Sequence, residues 1–172
     1  QFRARRTAAT AMIDSHAHMD FDDFGPDIDA VFDRAMAAQV DTIVCIGSGR
    51  GTASARGAVA LASIRSQLWA TVGIHPHDAQ MADDDAIGLV RDLALQPRVV
   101  AIGEVGLDYH YDHSPREAQR MAFRRFVALA REQRKPLVIH TRAAPADTLD
   151  ILRTERAQDV GGVVHCFTED QA

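Results

Sequence analysis

Residues 99–140 read VVAIGEVGLDYHYDHSPREAQRMAFRRFVALAREQRKPLVIH. Val99–Gly103 is a short, continuous apolar run, the kind that a parallel sheet covers on both faces. Ser114-Pro115-Arg116-Glu117 then carries helix-start chemistry: a capping serine, a proline in the first turn and a glutamate three residues after the cap. The helix is expected to run to about Gln133, with Ala118, Met121, Ala122, Leu129 and Ala130 on its buried side. Leu137–Ile139 is a second apolar run, so this stretch is one β–α–β unit with parallel strands and a right-handed crossover.

The alternation repeats on both sides. Further strand-type runs are Met12–Ser15, Asp41–Ile46, Trp69–Ile74 and Gly162–Val164. Helix-period segments are Asp27–Gln39, Ala53–Ser66, Asp85–Leu95 and Asp147–Ala157; in the first, Ile28, Val31, Phe32, Ala35 and Met36 share a face. Gly47-Ser48-Gly49-Arg50-Gly51 follows the second strand and lacks the Lys-Ser/Thr of a nucleotide loop, so it reads as an ordinary flexible βα loop. Six such steps exceed a small flavodoxin-like sheet. The expected class is α/β: a TIM-type (β/α)8 barrel, about six of whose eight βα units lie in this chain, with its site at the C-terminal ends of the strands. Residues 12–172 form one barrel domain, and residues 1–11 (QFRARRTAATA) read as an unstructured arm or a start artefact.

Composition narrows the function classes. Of 172 residues, 47% are apolar and 25% charged, ordinary for a globular domain and unlike a disordered chain. The net charge of -5 argues against a broad basic surface that wraps nucleic acid. It leaves a nucleic-acid substrate open, because bound cations supply positive charge locally. No apolar run is long enough to span a bilayer. Cys45 and Cys166 are both read as core residues without a disulfide, which fits a reducing compartment and a cytoplasmic location.

The chemistry lies in where the histidines fall. His16 and His18 end the first strand on the same side. His75 ends the third, Glu104 the fourth, His140 the fifth and His165 the sixth, so in a barrel all six groups converge at one mouth. Imidazole and carboxylate are the donors that hold zinc and related divalent cations, and a buried Glu104 demands a cationic partner. A lone His-x-His is a weak signal; the ensemble is strong. His75 and His77 suit substrate contact and plain loop structure equally, and His110 and His113 read as solvated. Asp83-Asp84-Asp85 reads as a helix-start cap and Asp22 and Asp23 as loop polarity. On spacing alone the chain is a metallohydrolase.

Five segments in order, Ile13-Asp14-Ser15-His16-Ala17-His18, Val72-Gly73-Ile74-His75-Pro76-His77, Ile102-Gly103-Glu104-Val105-Gly106-Leu107-Asp108-Tyr109, Leu137-Val138-Ile139-His140-Thr141-Arg142 and His165-Cys166-Phe167-Thr168, resemble the signature series of the TatD family of metal-dependent deoxyribonucleases, barrel hydrolases related to the amidohydrolases. The resemblance runs from Met12 to Ala172. It implies two divalent metal ions (Zn, Mg or Mn), one on His16 and His18, the other on His140 and His165, with Glu104 bridging. It places His75, Asp108 and Arg142 near the substrate phosphate. The implied activity is exonuclease-type hydrolysis of phosphodiester bonds in DNA, with DNA as the partner and no membrane or obligate protein partner. Family members continue through two more strands, the last carrying an aspartate ligand. The chain is therefore expected to be a fragment or a truncated product with an open barrel. The alternatives are an amidohydrolase acting on an amide, ester or lactone, and an inactive truncated barrel that retains partial metal binding.

Overall fold

A computed structural model describes residues 11–20 and 22–167. Six strands, β1 (Met12–Ala17), β2 (Val40–Gly47), β3 (Leu68–Val72), β4 (Val99–Asp108), β5 (Leu137–Arg142) and β6 (Gly162–Val164), alternate with five helices, α1 (Ile28–Ala37), α2 (Ala53–Ile64), α3 (Asp84–Ala94), α4 (Arg116–Gln133) and α5 (Pro145–Thr154). Neighbouring strands are all parallel and lie in the sheet in chain order. An order without reversal is that of a barrel wall and not of a doubly wound sheet. The sheet curls strongly: the ring of His16 on β1 stacks on that of His165, just past β6, with centroids 3.4 Å apart. The α/β barrel-type architecture expected from the sequence is the one observed. Of the expected N-terminal arm, residues 1–10 lie outside the described residues, as does Thr168 of the last motif.

The core is continuous. Leu68, Val72, Ile102 and Leu107 from the strands join Phe123, Phe126 and Val127 of α4 and Ala55 and Ala58 of α2, all buried. Burying each large side chain contributes about 1.5–3 kcal/mol. Gln119 sits among them fully buried, with its amide fully engaged. Its Oε1 accepts the Asp108 N–H (2.7 Å), and its Nε2 donates to the carbonyls of Asp108 (3.1 Å) and Ser114 (2.8 Å). A buried amide so satisfied escapes the desolvation penalty, and here it clamps the C-terminal end of β4 to α4.

Several local expectations are corrected. β4 does not end at Gly103 but continues through Glu104 to Asp108, because its glycines hide strand character that pairing restores, and β5 reaches Arg142 because Thr141 and Arg142 pair with Leu107 and Asp108 of that extension. Ser114 does not cap α4: its hydroxyl donates to the His77 carbonyl (2.7 Å) and accepts the Gln80 N–H (3.4 Å), and Pro115 stands at the cap. Met121 is 55% exposed, since Phe123 and Phe126 draw the helix face around toward themselves. Met36 is likewise exposed. Cys45 is buried as expected, whereas Cys166 is exposed: the chain leaves β6 at Val164 and turns, with Cys166 at φ 45°. Asp83 does cap α3, its carboxylate accepting the Ala86 N–H at 2.8 Å.

Candidate metal centre

The position of Glu104 follows from a fault in strand pairing. Gly103 pairs with Val138 and Val105 with Ile139, so Glu104 is passed over. One extra residue makes a β-bulge, which re-aims the side chain it carries. The glycines on either side permit it. A Cβ on Gly103 would collide with the Val138 carbonyl oxygen and one on Gly106 with that of His140, and both residues have positive φ (153° and 146°). The Glu104 carboxylate is thereby carried into the mouth of the curled sheet, 3% exposed.

Its two oxygens face different histidines. Oε2 lies 3.4 Å from His16 Nε2. Oε1 lies 2.9 Å from His140 Nδ1 and 3.9 Å from His75 Nε2. Donor atoms of His16, Glu104 and His165 come within 4.8 Å of one another, as do those of His75, Glu104 and His140. The grouping by distance thus differs from the pairing implied by the motifs: His165 stands with His16, and His75 stands beside His140. His18 is edge-on to His16 (5.2 Å between centroids) and lines the cavity. Asp108, fully buried, holds the far side of His140: its Oδ2 is 3.0 Å from His140 Nε2 and 2.9 Å from His77 Nε2. Arg142 is exposed at the rim.

The donors have the chemistry of a divalent-cation site. Burial lowers the pKa of His18, of His165 (with His16 adding to the effect) and of His75, the last to about 3, so these rings are neutral at pH 7. Burial pushes the Glu104 carboxyl up, but hydrogen bonds from His140 and His16 outweigh it and hold it well below the usual carboxylate range. Burial likewise raises Asp108, and the Tyr111 N–H, His77 and His140 bring it down to about 2. Neutral imidazoles around an ionised carboxylate suit Zn²⁺ or Mn²⁺. His75 is an exception to simple ligation. Its Nδ1 accepts the His77 N–H (3.2 Å), which leaves the ring proton on Nε2, facing the cavity as a donor.

His18, His75 and His165 have folded pKa values below 6.5, so the unfolded chain takes up protons as pH falls through 6.5 while the folded site refuses them. Their stability is present above pH 6.5 and lost below it. His140 works in the opposite sense: burial lowers it, but its bonds to Glu104 and Asp108 raise it overall. Three groups outweigh one. Metal-free protein should be less stable at pH 5.5 than at 7.5 in urea unfolding, by about 1 kcal/mol for His75 alone. Greater stability at pH 5.5 would contradict this assignment of protons to the four rings.

The cavity at the mouth measures about 660 Å³ and takes in His18, His75, Glu104, His140 and His165. Sequence reading missed one wall. The Gly47–Gly51 loop lines it through Ser48, Gly49 and Arg50 and is tied down. Arg50 Nη2 donates to the Asp20 carboxylate (3.3 Å) and carbonyl (3.2 Å), and the Gly51 N–H donates to Asp78 (3.0 Å). An arginine among glycines just past a strand was the available signal. Asp20 and Asp78, scattered through polar loops, gave none. His110 and His113 are exposed as expected. Among the described residues no helix is long and apolar enough to cross a membrane.

Comparison with known proteins gives the family of the chain. The family model described as TatD related DNase matches residues 13–172. An uncharacterized metal-dependent hydrolase, YabD of Bacillus subtilis, is 39% identical over 157 residues, covering 91% of this chain and 61% of the relative. A protein of Enterobacter lignolyticus named 3'-5' ssDNA/RNA exonuclease TatD is 36% identical over 157 residues, covering 91% of this chain and 60% of the relative. The crystal structure of YJJV, a TatD homologue from Escherichia coli, superposes with a TM-score of 0.83 at 29% identity, covering 92% of this chain and 61% of that one. The chain spans about 60% of the length of these relatives. With a matching family model over nearly its whole length, on a curled parallel sheet that carries histidines at its mouth, the chain belongs to the family of TatD related DNases.

Proposed function

We propose that the protein is a metal-dependent hydrolase that cleaves phosphodiester bonds in DNA, trimming single strands from an end, with two divalent cations in the mouth of the sheet. The observation that carries this reading is the Glu104 carboxylate, whose two oxygens face His16 on one side and His140 on the other. His16 and His165 would hold one cation with Glu104, with His18 adjoining, and His140 would hold the second. Bound there, such cations supply Lewis acidity and lower the pKa of a water near a phosphodiester. The remaining roles belong to the chain. His75 presents its Nε2–H to a phosphate oxygen and stays neutral through the physiological range. Asp108 is a positioning residue that fixes the rings of His140 and His77. His140 sits between two carboxylates as a proton-bearing ring, so taking up a cation releases a proton. Arg142, exposed at the rim, meets the phosphate charge that a chain of net charge -5 otherwise repels.

The test uses protein stripped with EDTA and reloaded with Mn²⁺, Zn²⁺ or Mg²⁺. It is offered a single-stranded DNA dodecamer, the RNA of the same sequence, and p-nitrophenyl acetate. Progressive shortening of the DNA that EDTA abolishes is the expected result. Ester turnover with the DNA left intact under every metal would overturn the reading in favour of an amidohydrolase. Intact substrates throughout would leave a barrel without turnover.

A further inference from the structure

The loop after β4 carries an aromatic cluster that the metal centre does not use. Tyr111 is 51% exposed, in a chain with only two tyrosines and one tryptophan. The ring of His113 lies parallel to it, 5.7 Å between centroids and 2° between planes. The Arg142 guanidinium lies over the Tyr111 ring at 4.7 Å, and His77 meets the ring edge-on at 5.6 Å. Arg142 and His77 line the 660 Å³ cavity, and Tyr111 packs against both of them, so the cluster adjoins the cavity.

The cluster is also in register with the donors. Asp108 Oδ1 accepts the N–H groups of His110 (3.1 Å) and Tyr111 (2.9 Å), while Oδ2 of the same carboxylate holds His140 and His77. Such an Asx-type turn fixes where the chain goes next. Glu104, His140, Asp108 and the backbone of Tyr111 are thus linked in one series of hydrogen bonds. Exposed parallel rings beside a guanidinium are how proteins hold the faces of nucleobases, because every base has a π-face and a cation adds to the stack.

We propose that Tyr111, with His113 and Arg142, is a stacking ledge for the nucleobase next to the bond being cleaved, so that the enzyme measures its substrate by a base as well as by a phosphate. This rests on the phosphodiesterase reading above. The test compares two single-stranded DNA octamers with Mn²⁺-loaded protein, one fully based and one abasic at the nucleotide beside the cleaved bond. Tyr111→Leu should raise KM on the based octamer about ten-fold, the range seen when a stacking aromatic is removed, and change it little on the abasic one. Tyr111→Phe, which keeps the ring, should restore the wild-type KM, and His113→Ala should show the Leu effect more weakly. In a separate binding titration, 2-aminopurine at that nucleotide should be quenched by wild type and not by Tyr111→Leu. A purely structural tyrosine would instead impair both octamers alike, and that result, or no change in either, overturns the ledge while leaving the hydrolase reading intact. Protein that neither binds nor cleaves the based octamer with any of the three metals overturns the hydrolase reading, and the ledge with it.

Discussion

Glu104→Gln should empty the metal centre and lower hydrolysis of single-stranded DNA by at least about 100-fold, since losing even supporting groups of a metal site costs about 10–100-fold. The substitution keeps the shape of the side chain and removes the charge. Among the described residues Glu104 is the carboxylate shared by His16, His75 and His140, and it is buried. An amide there offers N–H groups to rings that already carry protons, so neither the ring positions nor a dication is supported. Metal content per mole of purified protein, measured by atomic absorption beside the hydrolysis rate, checks this. Full occupancy with full activity would remove Glu104 from the centre.

The second large effect is on the fold. Gly106→Ala should destabilise the protein by about 3 kcal/mol or more, through a positive φ and a Cβ driven into the His140 carbonyl oxygen. Because that carbonyl belongs to a donor residue, metal affinity should fall with it. Gly88→Ala in α3 is the matching control: nothing lies within 4 Å of a Cβ there, so helix propensity alone should stabilise by up to about 1 kcal/mol. Urea unfolding of the two variants side by side should show shifts of opposite sign.

Strand order, and which side chains gather at the mouth of the sheet, were legible in the sequence because both rest on local patterns. Apolar runs at regular intervals give the barrel-type order, and polar groups placed just past them give His16, His140 and His165. What was not legible depends on three-dimensional curl. Which histidine shares Glu104 with which is decided by how far the sheet bends, and that bend sets His165 on His16 although their strands stand at opposite ends of the order. The bulge at Glu104 escaped because glycines on both sides resemble a strand end. Met121 and Ser114 were misread because helix-face and capping rules are local, whereas Phe123, Phe126 and the His77 carbonyl act from outside their windows.

The stacked pair of His16 and His165 has a bearing on cooperativity. These two rings come from the first strand and from just past the last strand described, so one candidate donor group joins residues separated by almost the whole chain. Closing so long a loop is entropically costly for the bare polypeptide, and neither edge strand has a second sheet neighbour among the described residues to offset it. A cation held by these residues would act as a clasp between the two ends of the sheet, and affinity for it would be drawn from the same free energy that keeps β1 and β6 from fraying. In hydrogen exchange, the amides of the two edge strands should respond together to metal removal, while those of β3 and β4, walled in on both sides, stay protected.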